Sequence, residues 1–280
     1  MMGNVNVTQE PPTPLPTYRV GHGGEGTHWY NAKGEACFEV LKADGKGYKK
    51  TTVREARRDN LFPGITGCLA MQAAPELNRW LENGLIDAAG ENPKDWDEDH
   101  KAYRNRIKRI GGAKSHQARS VGTCIHKAGE QVMQGVPSSE IDPEWYEFGH
   151  GIVTAMATRF PGATWEAEKS FAHTLGYACT LDAISSDAGI IVDYKGKDDD
   201  KVLTATGFSS NIQQLAAQRE AAGMPQARCF NLFFSREVPG HIKFVEYSEE
   251  QLQHAWEEAK LLVRLKCLTT NHFPTIEKGE

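Results

Sequence analysis

Two apolar segments in the second half of the chain each carry an aspartate inside a run that otherwise reads as a buried β-strand. Residues 177–185 contain Asp182, and residues 189–195 run from Gly-Ile-Ile-Val into Asp193, Tyr194 and Lys195. A Ser-Asp-Ala-Gly turn separates the two segments, so the pattern predicts a β-hairpin. The fold must therefore accommodate two acidic side chains within paired apolar strands, where an uncompensated charge is costly.

The register of this hairpin determines which side chains meet. A two- or four-residue loop centred between Asp187 and Ala188 places Asp182 directly opposite Asp193, with Cβ atoms roughly 4.5–5.5 Å apart. Because side chains alternate along a strand, Asp193 and Lys195 share one face. Two carboxylates this close repel unless a cation lies between them, and Mg²⁺ or Mn²⁺ suits such oxygen ligands. Lys195 could stabilise charge on a phosphate or orient a water, but an ordinary Asp–Lys ion pair is the structural alternative.

Further candidates flank the hairpin. Glu168, on the preceding strand-like segment 164–172, can supply a third carboxylate, and Glu166 on the same face competes with it for this position. His126 is a possible nitrogen ligand, or a structural histidine, on a long helical segment. Gln214 and Gln218 repeat at i, i+4 on a predicted helix over 209–222, where a solvated helix face is the alternative interpretation.

The remaining patterns predict three regions. We expect a flexible proline-rich arm over residues 1–20, a small β-rich addition over 21–60, and a core over 61–280 that ends in a packing helix. A long helical stretch reaches about residue 134, and Gly111-Gly112 is a candidate break in it. Strands are expected at 228–235 and 241–247. The predicted fold is α/β, with a mixed central β-sheet flanked by helices.

Composition excludes several classes of protein. The 280 residues are 39% hydrophobic and 25% charged, which is typical of globular proteins, and no apolar run approaches the ~20 residues of a membrane span. The six cysteines form no Cys-x-x-Cys pair, so neither a zinc ribbon nor an iron–sulfur cluster is expected. The N-terminus lacks the pattern of a secretory signal, so we expect an intracellular, cytoplasmic protein without a membrane partner.

The net charge of −5 is unevenly distributed. Residues 101–129 contain no Asp or Glu and lead directly into the segment around His126. Such a basic segment fits contact with DNA phosphates, although a solvated helix face is the alternative. The candidate DNA-binding residues are Arg104, Arg106, Lys108, Arg109, Lys114 and Arg119.

The order of these motifs resembles the RecB-like branch of the PD-(D/E)XK nuclease superfamily, which includes phage-type exonucleases. The matching stretches are Gly-Thr-x-x-His at 122–126, Glu168, Gly-x-x-x-x-x-Asp at 176–182, Asp-x-Lys at 193–195 and Gln-Leu at 214–215. They lie within about residues 60–235. In two respects the chain departs from the family pattern: Gln218 occupies the position of a usual tyrosine, and the four-cysteine cluster of several relatives is absent.

The resemblance implies a restriction-endonuclease-like core and a metal site for Mg²⁺ or Mn²⁺. It implies that His126, Asp182 and Asp193 bind the metal, that Lys195 is catalytic, that Glu168 supports the metal or its water, and that Gln214 contacts the site or DNA. The implied activity is exonucleolytic hydrolysis of DNA ends in phage-type recombination, replication or repair, within a host cytoplasm. The implied partners are DNA and a single-strand annealing or replication protein. Two alternatives remain: an inactive nucleic-acid-binding module of this fold, and a metal-dependent phosphoesterase acting on a smaller substrate.

Overall fold

A computed structural model describes residues 17–19, 28–73 and 75–276, except for the side chains of 75–77 and 114. The proline-rich arm predicted over residues 1–20 lies outside the described residues except for 17–19, of which Tyr18–Arg19 form a short strand, β1. The side chain of Lys114 also lies outside this description.

The N-terminal part consists of short strands and two short helices. The elements after β1 are β2 (Trp29–Tyr30), β3 (Glu39–Leu41), β4 (Tyr48–Lys50), α1 (Val53–Arg58), β5 (Phe62–Pro63) and α2 (Ile65–Leu69). A three-stranded antiparallel sheet has the order β1-β3-β4, and β2 pairs with β5. A small apolar cluster in this part is formed by Trp29, Cys37, Ala56 and Leu61.

A five-stranded mixed sheet forms the centre of the protein. Its strands are β6 (Glu166–His173), β7 (Tyr177–Ser185), β8 (Ile190–Lys197), β9 (Arg228–Ser235) and β10 (Ile242–Glu246). They have the order β10-β9-β8-β7-β6 in the sheet; β8 and β9 are parallel, and the other neighbours are antiparallel. This arrangement confirms the predicted mixed α/β fold.

Helices cover both faces of this sheet. Ile190 and Val192 of β8 pack in one apolar cluster with Ile125 of helix α4 (His100–Met133). Ile191 packs in a second apolar cluster with Leu215 of helix α6 (Ser209–Ala221). This burial on both faces explains why the central strands are continuous apolar runs. In the described part of the chain, none of the helices has the length and apolarity needed to cross a membrane. The helices are α3 (Pro75–Glu91), α4 (His100–Met133), α5 (Tyr146–Arg159), α6 (Ser209–Ala221) and α7 (Glu249–Thr270).

Helix α4 is continuous through Gly111 and Gly112, so the predicted break is wrong. The reason is that Gly111 serves a helix crossing. A Cβ added to Gly111 would lie 2.8 Å from the carbonyl oxygen of Gly84 on α3, so the two backbones approach more closely than a side chain would allow. The glycine at this position therefore permits helix packing and does not end the helix.

The N-terminal part also contacts strand β6, which is an outermost strand of the five-stranded sheet. A Cβ added to Gly34 would lie 2.6 Å from the carbonyl oxygen of Ser170 in β6. Gly34 also has a φ of +83°, in the left-handed region that L side chains rarely adopt. Both the close approach and the turn therefore require glycine at this position.

Candidate active site

The candidate site lies where strands β7 and β8 separate. Their ladder runs from the pair Ser185–Ile190 to the pair Ala183–Val192 and then ends. From that point β8 continues beside β9, and β7 continues beside β6. Asp182 and Asp193 are the next residues after the last pair. The turn of four residues, 186–189, is one of the two lengths predicted from the sequence.

Asp193 is the most buried of the predicted acidic residues, with 1% of its surface exposed. Its Oδ1 accepts a hydrogen bond of 2.7 Å from the Gln214 amide. Its Oδ2 accepts one of 2.8 Å from the Asn231 amide and lies 2.7 Å from Lys195 Nζ. Asp193 and Lys195 therefore contact each other on one face of β8, as the alternation of side chains predicts.

Lys195 is a partly exposed charged group in an acidic environment. Its Nζ also donates a hydrogen bond of 3.2 Å to Gln214 Oε1. Burial alone would lower the pKa of Lys195, but the carboxylates of Asp193 and Asp182 outweigh it and raise that pKa. The ammonium group is therefore held in its charged form beside two carboxylates.

Asp182 connects the strand junction to helix α4. Its Oδ2 accepts a hydrogen bond of 2.6 Å from the Tyr194 backbone N–H, and its Oδ1 lies 3.6 Å from His126 Nδ1. Burial would raise the pKa of Asp182, but His126 and then Lys195 lower it. Burial would lower the pKa of His126, and Asp182 raises it. The two groups therefore stabilise each other as an ion pair.

The structure separates Glu168 from its competitor Glu166. Both residues are exposed, but Glu166 forms an ion pair of 2.7 Å with Lys169. Glu168 has a φ of +53°, which interrupts the ladder between β6 and β7 at the position opposite Asp182. Burial, together with the negative charges of Asp182 and Glu130, raises the pKa of Glu168 to about 7. The strained backbone conformation thus accompanies a carboxyl group directed into the acidic cluster.

Replacing Glu168 by glutamine is expected to stabilise the metal-free protein at alkaline pH. Because the pKa of Glu168 is higher in the folded protein than its ordinary value of 4.5, the contribution of this carboxyl group to stability falls as the pH rises from about 4.5 to about 7. Urea denaturation in EDTA at pH 8 should show a higher free energy of unfolding for Glu168→Gln than for the wild type, and the gain should be small because residue 168 is exposed to screening solvent. The gain should disappear near pH 4, and Glu166→Gln should stay within about 0.5 kcal/mol of wild type. Equal effects of the two substitutions would contradict this distinction.

The acidic donors fit a hard divalent cation. Glu168, Asp182 and Asp193 offer carboxylate oxygens, which are the ligands that Mg²⁺ and Mn²⁺ prefer. Among the residues described, no group of three or more His, Cys, Asp or Glu side chains is arranged to hold a metal ion. Mg²⁺ commonly takes only one or two protein carboxylates and completes its shell with water and substrate phosphates. The donor set therefore suits a partly open cation site.

Gln214 and Gln218 of α6 both contact residues of the sheet. Gln214 donates a hydrogen bond to Asp193 and accepts one from Lys195. Gln218 is 1% exposed, and its amide donates a hydrogen bond of 3.0 Å to the backbone carbonyl of Thr180 in β7. Gln218 therefore holds strand β7 at Thr180, two residues before Asp182.

Two side chains of the site were not predicted from the sequence. Asn231 is a polar residue within the buried run of β9, and this interruption was the available signal. Tyr247 follows β10, and its hydroxyl donates a hydrogen bond of 2.7 Å to Asn231 Oδ1. No local pattern marks Tyr247, because its contact with β9 depends on the tertiary fold.

The basic residues of α4 do not form one group. Lys101, Lys108, Arg119 and His126 are spaced at seven, eleven and seven residues, which places them on one side of the helix. Arg106 lies elsewhere: its guanidinium donates to both carboxylate oxygens of Glu98, at 3.0 and 2.8 Å, and to a backbone carbonyl. Arg104 and Arg109 are exposed on the same helix. The side that carries Lys101, Lys108 and Arg119 leads along α4 to His126.

No protein-family model matches the chain, and no curated protein matches its sequence. Searches of solved structures find exonucleases among the similar folds. An alkaline exonuclease from Laribacter hongkongensis aligns with 44% of this chain and 69% of its own, at 12% identity and a TM-score of 0.28. A protein from Eubacterium rectale with a provisional exonuclease assignment aligns with 71% of this chain and 87% of its own, at 10% identity and a TM-score of 0.41.

Proposed function

We propose that the chain is a metal-dependent nuclease that hydrolyses phosphodiester bonds in DNA. The supporting observation is the strand junction at which Asp182, Asp193 and Lys195 come together with Gln214. The two carboxylates provide negative charge for a cation, and the partly exposed Lys195 beside them provides positive charge for a phosphate. The basic side of α4, which ends at His126, fits a polyanionic substrate better than a small one.

The proposed division of roles follows the position of each group. His126, Asp182, Asp193 and Glu168 would hold Mg²⁺ or Mn²⁺, which when bound polarises a phosphate and lowers the pKa of a water. Lys195 Nζ donates hydrogen bonds to an oxygen on which negative charge develops during hydrolysis. Gln214 orients Lys195 and Asp193 by donating to one and accepting from the other. Arg104, Lys108, Arg109 and Arg119, with Lys101, bind the DNA backbone.

The finer biological assignment rests on the motif resemblance. We propose exonuclease action at DNA ends in phage-type recombination, replication or repair, in a host cytoplasm. The proposed partner is a single-strand annealing or replication protein. The proposed organisation is an N-terminal arm, a small β-rich addition and a nuclease core over residues 61–280.

Digestion of end-labelled single- and double-stranded DNA with Mg²⁺, with Mn²⁺ and with EDTA tests the activity. The proposal predicts metal-dependent shortening from the ends and no cleavage in EDTA. Binding of DNA without cleavage in any metal would indicate an inactive nucleic-acid-binding module. Faster hydrolysis of a nitrophenyl phosphate ester than of DNA would indicate a phosphoesterase for small substrates.

The basic side of α4 should determine the salt dependence of DNA binding. Replacing Lys101 and Lys108 by glutamine removes two phosphate contacts, so the slope of log K against log salt should fall by about 2. Fluorescence anisotropy in EDTA measures binding without cleavage. Glutamine at Lys42 and Lys46, which are exposed in the N-terminal part, is the matched control and should leave the slope unchanged. An unaltered slope in the α4 variant would place the DNA elsewhere.

A further inference from the structure

A chain of two buried hydrogen bonds ends on the Asp193 carboxylate. The Tyr247 hydroxyl donates to Asn231 Oδ1 at 2.7 Å, and Asn231 Nδ2 donates to Asp193 Oδ2 at 2.8 Å. Asn231 has no exposed surface, and Tyr247 is 5% exposed. The three side chains come from β8, from β9 and from the residue after β10, so tertiary structure brings them together.

The hydroxyl of Tyr247 determines which way the Asn231 amide faces. In the observed orientation the amide NH₂ faces a carboxylate and the amide oxygen faces a hydroxyl donor, so both groups are satisfied. The reversed orientation would direct the amide oxygen of Asn231 at the carboxylate of Asp193, where two acceptors repel. Loss of the hydroxyl would leave the amide oxygen of Asn231 buried without this donor.

The loop before α6 is shaped to admit this hydroxyl. Gly207 has a φ of +80°, and a Cβ added there would lie 2.1 Å from the Tyr247 hydroxyl oxygen. Any other residue at position 207 would displace that oxygen from Asn231. The position of the hydroxyl therefore depends on a glycine with a left-handed backbone.

The hydrogen bonds distinguish the two oxygens of Asp193. Oδ2 is engaged by Asn231, which is fully buried, and by Lys195, whose side chain is 26% exposed. Oδ1 accepts only the Gln214 amide among the contacts described, and Gln214 is partly exposed on α6. Oδ1 is thus the oxygen that a cation can reach by displacing one amide group.

We infer that Asn231 and Tyr247 are positioning residues that hold Asp193 Oδ2 away from the cation and present Oδ1 to it. The inference rests on the proposed function, because it assigns the two residues to the same cation site. Neither residue touches the substrate or the cation. Their effect is exerted through the orientation of the Asp193 carboxylate, as for other groups that orient metal ligands.

The test compares two buried tyrosines that each lose only a hydroxyl group. Tyr247→Phe removes the donor to Asn231. Tyr177→Phe is the matched control, because the Tyr177 hydroxyl donates at 2.8 Å to the backbone carbonyl of Ala217 and its ring lies in the same apolar cluster. Titration calorimetry with Mn²⁺ alone measures binding without DNA, and thermal unfolding measures the stability of both variants.

Tyr247→Phe should weaken Mn²⁺ binding about 10-fold, and Asn231→Leu, of similar volume, should weaken it at least as much. Cleavage by Tyr247→Phe should fall at limiting Mn²⁺ and recover at saturating Mn²⁺. Tyr177→Phe should bind Mn²⁺ like the wild type despite a similar loss of thermal stability. If the wild-type protein binds Mn²⁺ and cuts DNA, but Tyr247→Phe binds Mn²⁺ with the same affinity as the wild type, this inference is wrong and the proposed function stands. A wild-type protein that neither binds Mn²⁺ nor cuts DNA would overturn the proposed function and this inference together.

Discussion

Lys195→Met should cut DNA about 10²- to 10³-fold more slowly than the wild type under saturating metal. Methionine retains the length and much of the apolar volume of the lysine stem but removes the ammonium group that lies 2.7 Å from Asp193. The rate falls because the negative charge that develops on the phosphate is no longer stabilised by the ammonium group of Lys195. Single-turnover digestion of end-labelled DNA measures this step directly.

The matched control is Lys169→Met in the neighbouring strand β6. Lys169 is half exposed and pairs with Glu166, so its loss should change cleavage by less than about twofold. Lys195→Met should also lose stability, because removing one partner leaves the buried Asp193 carboxylate uncompensated. Circular dichroism and thermal unfolding would therefore accompany the kinetics. A folded Lys195→Met protein with the wild-type rate would rule out a catalytic role for this lysine.

Gly149→Ala should destabilise the protein by about 3 kcal/mol, near the upper end for overpacked cores. Helices α4 and α5 touch at this position: a Cβ on Gly149 would lie 2.5 Å from the carbonyl carbon of Ala128. The obstacle is backbone, so the helices must separate. Ala128 lies two residues after His126, so the contact of His126 with Asp182 should be disturbed as well. Urea denaturation measures the loss of stability.

Gly112→Ala is the control for a helical glycine without such a contact. Among the described residues, no atom outside the neighbouring helix backbone lies within 4 Å of a Cβ added to Gly112, so the change should stabilise α4 by up to ~1 kcal/mol through reduced backbone entropy of the unfolded chain. The two alanine variants should thus differ in sign. A Gly149→Ala protein as stable as the wild type would show that the two helices can adjust without loss.

The hairpin was predictable because its apolar strands, its turn and the two aspartates that interrupt the strands can all be read from one short segment of sequence. The expected bounds 177–185 and 228–235 match β7 and β9. The choice between Glu166 and Glu168 could not be made, because alternation assigns them one face and the distinction arises from the positive φ of Glu168. Asn231 and Tyr247 were missed because their importance depends on contacts between distant segments. The candidate helix break at Gly111 was wrong for a similar reason, because the residue that packs against Gly111 is Gly84, which lies on another helix.

The contact of Gly34 with β6 also bears on how copies of this protein behave toward one another. An outermost strand normally offers unpaired amide and carbonyl groups, which a strand from a second molecule can extend. Here the turn around Gly34 lies against the β6 backbone at Ser170. A bulky residue at position 34 would push this turn away from the β6 backbone and is therefore expected to favour self-association by strand addition.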